Sequence, residues 1–363
     1  MKDLNEINWL PDGRLIYSVP EPGALGNNCN YWARRIDLRT GARIDEPRRL
    51  TNWSGFCLSS GSATADGKRL AFLGWANHNN VYVAELEAGG SRIRNSRRLT
   101  FDESDNNPAA WTADSKAVVF LSMRNGNPGI YRQRLDQDTP ELITTAPGSF
   151  SNAHVTPDGK WVVWTNQLGA SGANPATQLM RAPISGGPPE LIFGPPNEAL
   201  IICARAPATL CAIGEWAEDH KEIIVTSFDP LKGRGRELLR FKSTPSGVYC
   251  DISPDGSRIA AVTGPDEPIQ IFSLRGQPTQ ILPAKELNPK SFLNWAADGE
   301  GMFVTHLVKG GSELVHMDLR GNTKALWKND GGYYPWGLPS PDGRHLAIQG
   351  ANQSGNMWMM ENF

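Results

Sequence analysis

Histidines, cysteines and paired carboxylates are the residues most able to catalyse or to ligate, and here their spacing selects no such site. The six histidines (78, 154, 220, 306, 316 and 345) stand apart, and no two have the i+2 to i+4 separation of a metal pair. The five cysteines (29, 57, 203, 211 and 250) form no Cys-x-x-Cys. No metal and no cofactor is expected, and His154, just ahead of a turn, reads as structural. A Gly-x-Ser-x-Gly elbow and a Walker loop are missing, and no Gly-x-Gly-x-x-Gly follows a strand. That argues against a serine-hydrolase or nucleotide-binding domain within these residues. Cys203 and Cys211 lie four residues either side of Pro207. In a hairpin turning there they would face one another, so a cross-strand disulfide and a pair of buried thiols both stay open. A disulfide would argue for an oxidising compartment.

The elements that must position these residues announce themselves through a repeat. Leu-Pro-Asp-Gly at 10–13, Thr-Ala-Asp-Gly at 64–67 and Thr-Pro-Asp-Gly at 156–159 return as Ser-Pro-Asp-Gly at 253–256 and 340–343. Variants stand at 112–115 and 296–299. Each is followed by an apolar run such as Ala117-Val118-Val119-Phe120. Asp-Gly between apolar runs predicts a hairpin with a type I′ turn. A third, alternating strand follows (Ile130 to Leu135), and then a fourth of the kind Arg-Arg-Leu-Thr. The aligned apolar positions of the fourth strands are 50, 99, 142, 191, 238, 281 and 326, recurring every 43–49 residues. Four strands in about 40–50 residues is the period of a propeller blade.

The expected fold is therefore all-β: one propeller of four-stranded antiparallel blades spanning residues 1–363. Eight blade starts predict eight blades, with a seven-bladed ring as the alternative. The fifth unit has lost its turn phrase and reads as strands Ala199 to Arg205, Thr209 to Trp216 and Glu222 to Phe228. The eighth reads as strands Tyr334 to Leu338, Arg344 to Gln349 and Met357 to Met360, with no fourth. Its missing strand implies either a three-stranded last blade or a contribution from upstream, as in a fragment of a longer multidomain protein. Lys+Arg 36 against Asp+Glu 38 gives net −2, with no basic footprint for nucleic acid, and no apolar run is long enough to span a membrane. A monomer is expected. The compartment, bacterial cytoplasm or periplasm, depends on sequence upstream.

Within such a ring, Trp9, Trp111 and Trp295 occupy one equivalent place before the turn and are expected to pack between blades. The segments joining a fourth strand to the next blade gather at one mouth of the ring. They carry Trp53, Phe56, Phe150, Tyr249, Phe292, Tyr333 and Tyr334, with Asp105, Asn106, Asn107, Asn152 and Arg205 beside them. That set reads as a polar–aromatic rim for a peptide or small ligand. Sealing of blade junctions is the competing reading for the aromatics. Asp105, Glu198, Asp251 and Glu286 are the carboxylates a propeller hydrolase or lyase would use, but no spacing picks a pair.

The repeats resemble the TolB-like β-propeller repeats of bacteria over the whole chain. More specific stretches are Trp9 to Tyr17, Arg48 to Trp53, Ala109 to Val119, Phe228 to Glu237, Pro339 to Ile348 and Met357 to Phe363. These resemble the C-terminal propeller region of acidobacterial-type serine/threonine protein kinases and of related winged-helix regulators. The resemblance implies a sensory or scaffolding propeller that binds a protein or small ligand at its mouth. It brings no kinase residues, because the Gly-rich loop, strand Lys, His-Arg-Asp and Asp-Phe-Gly are not in this chain. The expectation is a non-catalytic module of a signalling protein. The alternatives are a propeller hydrolase or lyase and a propeller that gates a peptidase.

Overall fold

A computed structural model describes residues 6–20, 29–53, 56–102, 104–124, 128–168, 176–195, 199–244, 248–264, 266–283, 285–287, 290–330 and 334–363. The described residues fall into two compact units. The smaller holds those of 6–78 and 352–363, and the larger those of 79–168 and 176–351. Two long strands, Arg69–Glu87 and His345–Glu361, contribute to both.

The larger unit is a six-bladed propeller. Five blades are self-contained four-stranded antiparallel sheets, each laid down in chain order between Asn106 and Asp330. The sixth is composite. Gly337–Pro339 pairs with the first part of His345–Glu361, which pairs in turn with the second part of Arg69–Glu87, and Arg92–Arg98 completes the four. The amide of Leu86 donates to the Arg344 carbonyl at this junction (2.8 Å). The six inner strands are Asn106–Trp111, Ser149–Val155, Ala199–Cys203, Tyr249–Ile252, Lys290–Trp295 and Gly337–Pro339. Each packs beside the next, and the last packs beside the first.

The buried side chains confirm closure. Six apolar clusters each join residues of two neighbouring blades, one cluster for each interface of a closed six-membered ring. Burial on both faces explains why second strands such as Ala117–Ser122 and Gly301–Val308 are nearly continuous apolar runs. The indole of Trp111 donates to the Leu338 carbonyl (2.8 Å), and the amide of Asp342 donates to Ser115 Oγ (3.1 Å), both across the closing seam.

The eight-bladed and seven-bladed expectations are both corrected. The second and third strands assigned to the eighth unit are one strand, His345–Glu361, and the apolar run after the turn phrase at 64–67 likewise continues as one long strand, Arg69–Glu87. The ring closes by sharing a blade between early and late strands, the common solution for covering an edge. The remaining repeats build the smaller unit. There, Glu6–Trp9, Arg14–Pro20, Cys29–Arg35 and Arg48–Arg49 pair in order, and Cys57–Ala63 pairs with the first part of Arg69–Glu87. Leu10, Ile16, Tyr31, Leu58, Leu70 and Phe72 form its core, and a Cys29–Cys57 disulfide joins its two halves. Trp111 and Trp295 are buried in blade interfaces, but Trp9, on an edge strand, is 58% exposed.

The turn type differs as well. In Thr156–Gly159 the Gly159 amide donates to the Thr156 carbonyl (2.8 Å), and Gly159 has φ +70 while Asp158 does not enter positive φ. This is a type I turn with Pro157 at its second position and a left-handed Gly closing it. Asp158 Oδ1 accepts the Thr156 hydroxyl (2.6 Å) and the Lys160 amide (3.1 Å), which is why the phrase needs Asp.

Candidate functional site

The six inner strands surround a cavity of about 110 Å³ on the axis of the larger unit. His154, Arg205, Asp251 and Asn294 are the polar side chains of its wall that matter most, and each arrives by a local device. His154 follows a bulge in Ser149–Val155, where Ser151 pairs with Thr165 but His154 with Val163. Asn152, inside the bulge, takes φ +51, a conformation asparagine tolerates better than most residues. Arg205 sits on the loop that replaces the missing turn phrase. The Ala204 amide donates to the Leu210 carbonyl (2.8 Å), and a Cys203–Cys211 disulfide clamps the loop's base. The fifth repeat thus has the cross-strand bond that its sequence left open.

Arg205 reaches to another blade, and its Nη2 donates to the Trp295 carbonyl (3.0 Å). Its Nη1 is buried without a hydrogen-bond partner. Asp251 is 5% exposed and does not pair with Arg205. Instead one oxygen accepts the Trp295 amide (2.9 Å) and the Asn294 side-chain amide (3.4 Å), and the other accepts the Ile252 amide (2.9 Å). Burial raises the Asp251 carboxyl above its ordinary range, while the nearby Arg205 charge and these donors pull the other way. Burial, and then the Arg205 charge, lower His154 from 6.5 to about 4, so the ring is neutral near pH 7.

The start of the inner strands carries an aromatic group. Tyr249 meets Phe292 edge to face (centroids 4.3 Å apart), Phe292 stacks on Trp336 (5.5 Å), and Tyr334 meets Phe292 at 5.9 Å. The Trp336 indole donates to Asn294 Oδ1 (2.5 Å), tying the aromatic group to the channel wall. Burial pushes the Tyr249 hydroxyl above the usual tyrosine range. Asp105 and Asn107 form a separate polar group, in which Asp105 accepts the Asn79 amide (2.9 Å) and Asn107 accepts the Asn79 side-chain amide (2.9 Å). Asn106 turns away from it, donating to Asp102 (3.1 Å) and to the Ser104 carbonyl (2.9 Å). Phe150 packs on the buried Trp164 (5.7 Å).

The sequence-derived rim is thus divided. Tyr249, Phe292 and Tyr334 come together, and Arg205 joins the channel. Trp53 and Phe56 belong to the smaller unit, where Trp53 packs against Phe56, Phe72 and Trp358. Glu198 and Tyr333 lie outside the described residues, and Glu286 is exposed. Sequence reasoning missed Trp336 and Asn294. Trp336 carries the same signal as its neighbours, an aromatic directly ahead of an inner strand, and could have been found. Among the described residues no three His, Cys, Asp or Glu side chains gather as metal ligands.

No family model matches the chain. It is 27% identical over 166 residues to the Tol-Pal system protein TolB of Francisella tularensis, a match covering 44% of this chain and 34% of that protein. It is 26% identical over 168 residues to an uncharacterized protein of Agrobacterium fabrum, covering 45% and 50% respectively. The matched stretch therefore spans between a third and a half of these relatives. A putative TolB from Agrobacterium tumefaciens superposes with a TM-score of 0.59 at 17% identity, over 75% of this chain and 98% of that one. TolB from Acinetobacter baumannii gives 0.56 at 14% identity, over 90% and 79%. These likenesses establish a TolB-like β-propeller fold. They do not bear on the kinase and winged-helix architectures that the sequence resembles.

Proposed function

We propose that the larger unit is a non-catalytic binding module that takes an extended protein segment at the aromatic end of its channel. The observation that carries this reading is the Tyr249–Phe292–Trp336–Tyr334 group, joined through Asn294 to the cavity behind it. Aromatic anchors beside a polar pocket are what binding hot spots are made of. The Francisella relative is by name a component of the Tol-Pal system, which favours a protein partner by analogy. A sensor or scaffold role in a longer signalling protein rests on the sequence resemblance alone. Two disulfides favour an oxidising compartment.

An enzymatic reading requires ionisable groups to converge at the channel, and Arg205, Asp251 and His154 do so. Their bonding favours binding over catalysis. Both oxygens of Asp251 are occupied by N–H donors, and no second carboxylate lines the cavity among the described residues. The test is selection of displayed peptides on the intact chain, repeated with Tyr334→Ala and Trp336→Phe after their melting curves are checked. Enriched peptides should lose binding to these variants. Undiminished binding by folded variants would place the binding face elsewhere.

A further inference from the structure

We propose that Arg205 is the anchor of a carboxylate-binding subsite inside the channel of the larger unit. This rests on the preceding reading that the channel receives a ligand, and adds what chemical group goes in first.

A buried guanidinium is normally paired, because an isolated charge removed from water is costly. Arg205 departs from that rule. Among the described residues it forms no ion pair. Nη2 is used on the Trp295 carbonyl, a neutral acceptor, and Nη1 has no acceptor. The nearest acid is not available to it, since Asp251 is held by the amides of Trp295 and Ile252 and by Asn294. His154, the other titratable group of the wall close to Arg205, has no anionic form to offer it. The Trp111 indole is committed to the Leu338 carbonyl. Arg205 therefore lines the cavity with a guanidinium whose Nη1 has no acceptor among the described residues.

The cavity defines the anion. Its volume of about 110 Å³ is room for roughly three or four waters at about 30 Å³ each. A carboxylate with one or two attached carbons fits, and a folded domain does not. Arg205 is the only Lys or Arg among the described lining residues. A phosphate dianion would ask for more positive charge than one guanidinium supplies, whereas a single planar guanidinium suits a planar carboxylate. The ligand group is thus the C-terminal carboxylate, or an Asp or Glu side chain, of a segment whose body rests on the aromatic group.

N-acetylglycine, the simplest analogue of a peptide C-terminus, is the probe, with N-acetylglycinamide as its uncharged control. Titration of the intact chain, followed by calorimetry or ligand-observed NMR, should show saturable binding of the acid and none of the amide. Arg205→Gln should weaken the acid by at least about tenfold, as expected for losing a charge-assisted hydrogen bond. Arg205→Lys should keep part of the affinity. Removing an unpaired buried cation should not lower the melting temperature, and Arg205→Lys serves as the test if the Gln variant does not fold. No saturable binding of the acid, equal binding of acid and amide, or affinity unchanged by both substitutions would each overturn the proposal. The two readings fail separately. Loss of peptide selection with acid binding intact points to the aromatic rim, and peptide selection that persists without carboxylate preference removes Arg205 alone.

Discussion

Acidifying the protein from pH 7 to pH 5 should destabilise it through His154. In the folded chain His154 titrates at about 4, against 6.5 without its surroundings. Between those values the unfolded chain binds a proton that the folded chain refuses, so stability is present above pH 6.5 and lost as the pH falls towards 4. A shift of 2.5 pH units, integrated from pH 7 to pH 5, gives a loss of about 2 kcal/mol, or nearer 1 with water admitted to the cavity. The carboxyls perturb the lower range. Asp255 is raised by burial but held down to about 2 by the Ser253 and Ser257 donors, so its contribution is lost only as the pH falls below 3.8. Asp251 has the opposite sign, because a raised carboxyl loses stability as the pH rises past its unfolded value. The assay is urea unfolding of the wild type and His154→Gln at a series of pH values, reading the difference between them. The difference should change by about 1 to 2 kcal/mol across pH 5–7. Identical slopes for the two proteins would refute the argument that burial and the Arg205 charge keep this imidazole neutral.

Two further perturbations test the blade that holds Arg205. Glu215 is 5% exposed and meets Arg234 through both oxygens (2.5 and 2.8 Å). Arg234→Ala should therefore cost about 3 kcal/mol in chemical unfolding by leaving a buried carboxylate alone, and a loss under about 0.5 would show that water reaches it. Replacing both Cys203 and Cys211 by Ser opens a clamp across a sequence separation of 8. Denaturant unfolding should show a loss of about 2.5 kcal/mol on chain-entropy grounds, and no change would mean that the strand pairing alone holds the loop.

The strands were legible in the sequence because their signals are local. Turn phrases, apolar runs and all seven fourth strands are where periodicity puts them, since each depends on residues a few positions apart. Blade number was not legible, because it depends on which distant strands pair. Residues 77–80 and 350–356 are rich in the Asn, Gly and Ser of turns, yet Arg69–Glu87 and His345–Glu361 run through them as single strands. The candidate site shows the same split. Tyr249, Phe292 and Tyr334 could be read from their place at or just before the start of inner strands. The grouping of Arg205 with Asp251 and His154 could not, because it is made by three successive blades. The loss of the turn phrase in the fifth unit was the usable hint, since a regular turn would have left no loop to carry Arg205. Where Ser115 replaces glycine at φ +60, the departure also has a structural use, because its hydroxyl accepts the Asp342 amide at the seam.

The composite blade has a consequence for how the chain is made. Strands Arg69–Glu87 and Arg92–Arg98 are synthesised well before their blade partners Gly337–Pro339 and His345–Glu361, with five whole blades between them. The bond from Trp111 to Leu338 spans 227 residues of sequence. Until those partners emerge, the half-blade made first presents an open sheet edge, the kind of surface that pairs with other chains. Closure also requires a long loop to be gathered before it is rewarded, which slows folding. A nascent chain stalled before Gly337 should be the aggregation-prone species, and shielding that edge during synthesis is a task the finished ring no longer shows.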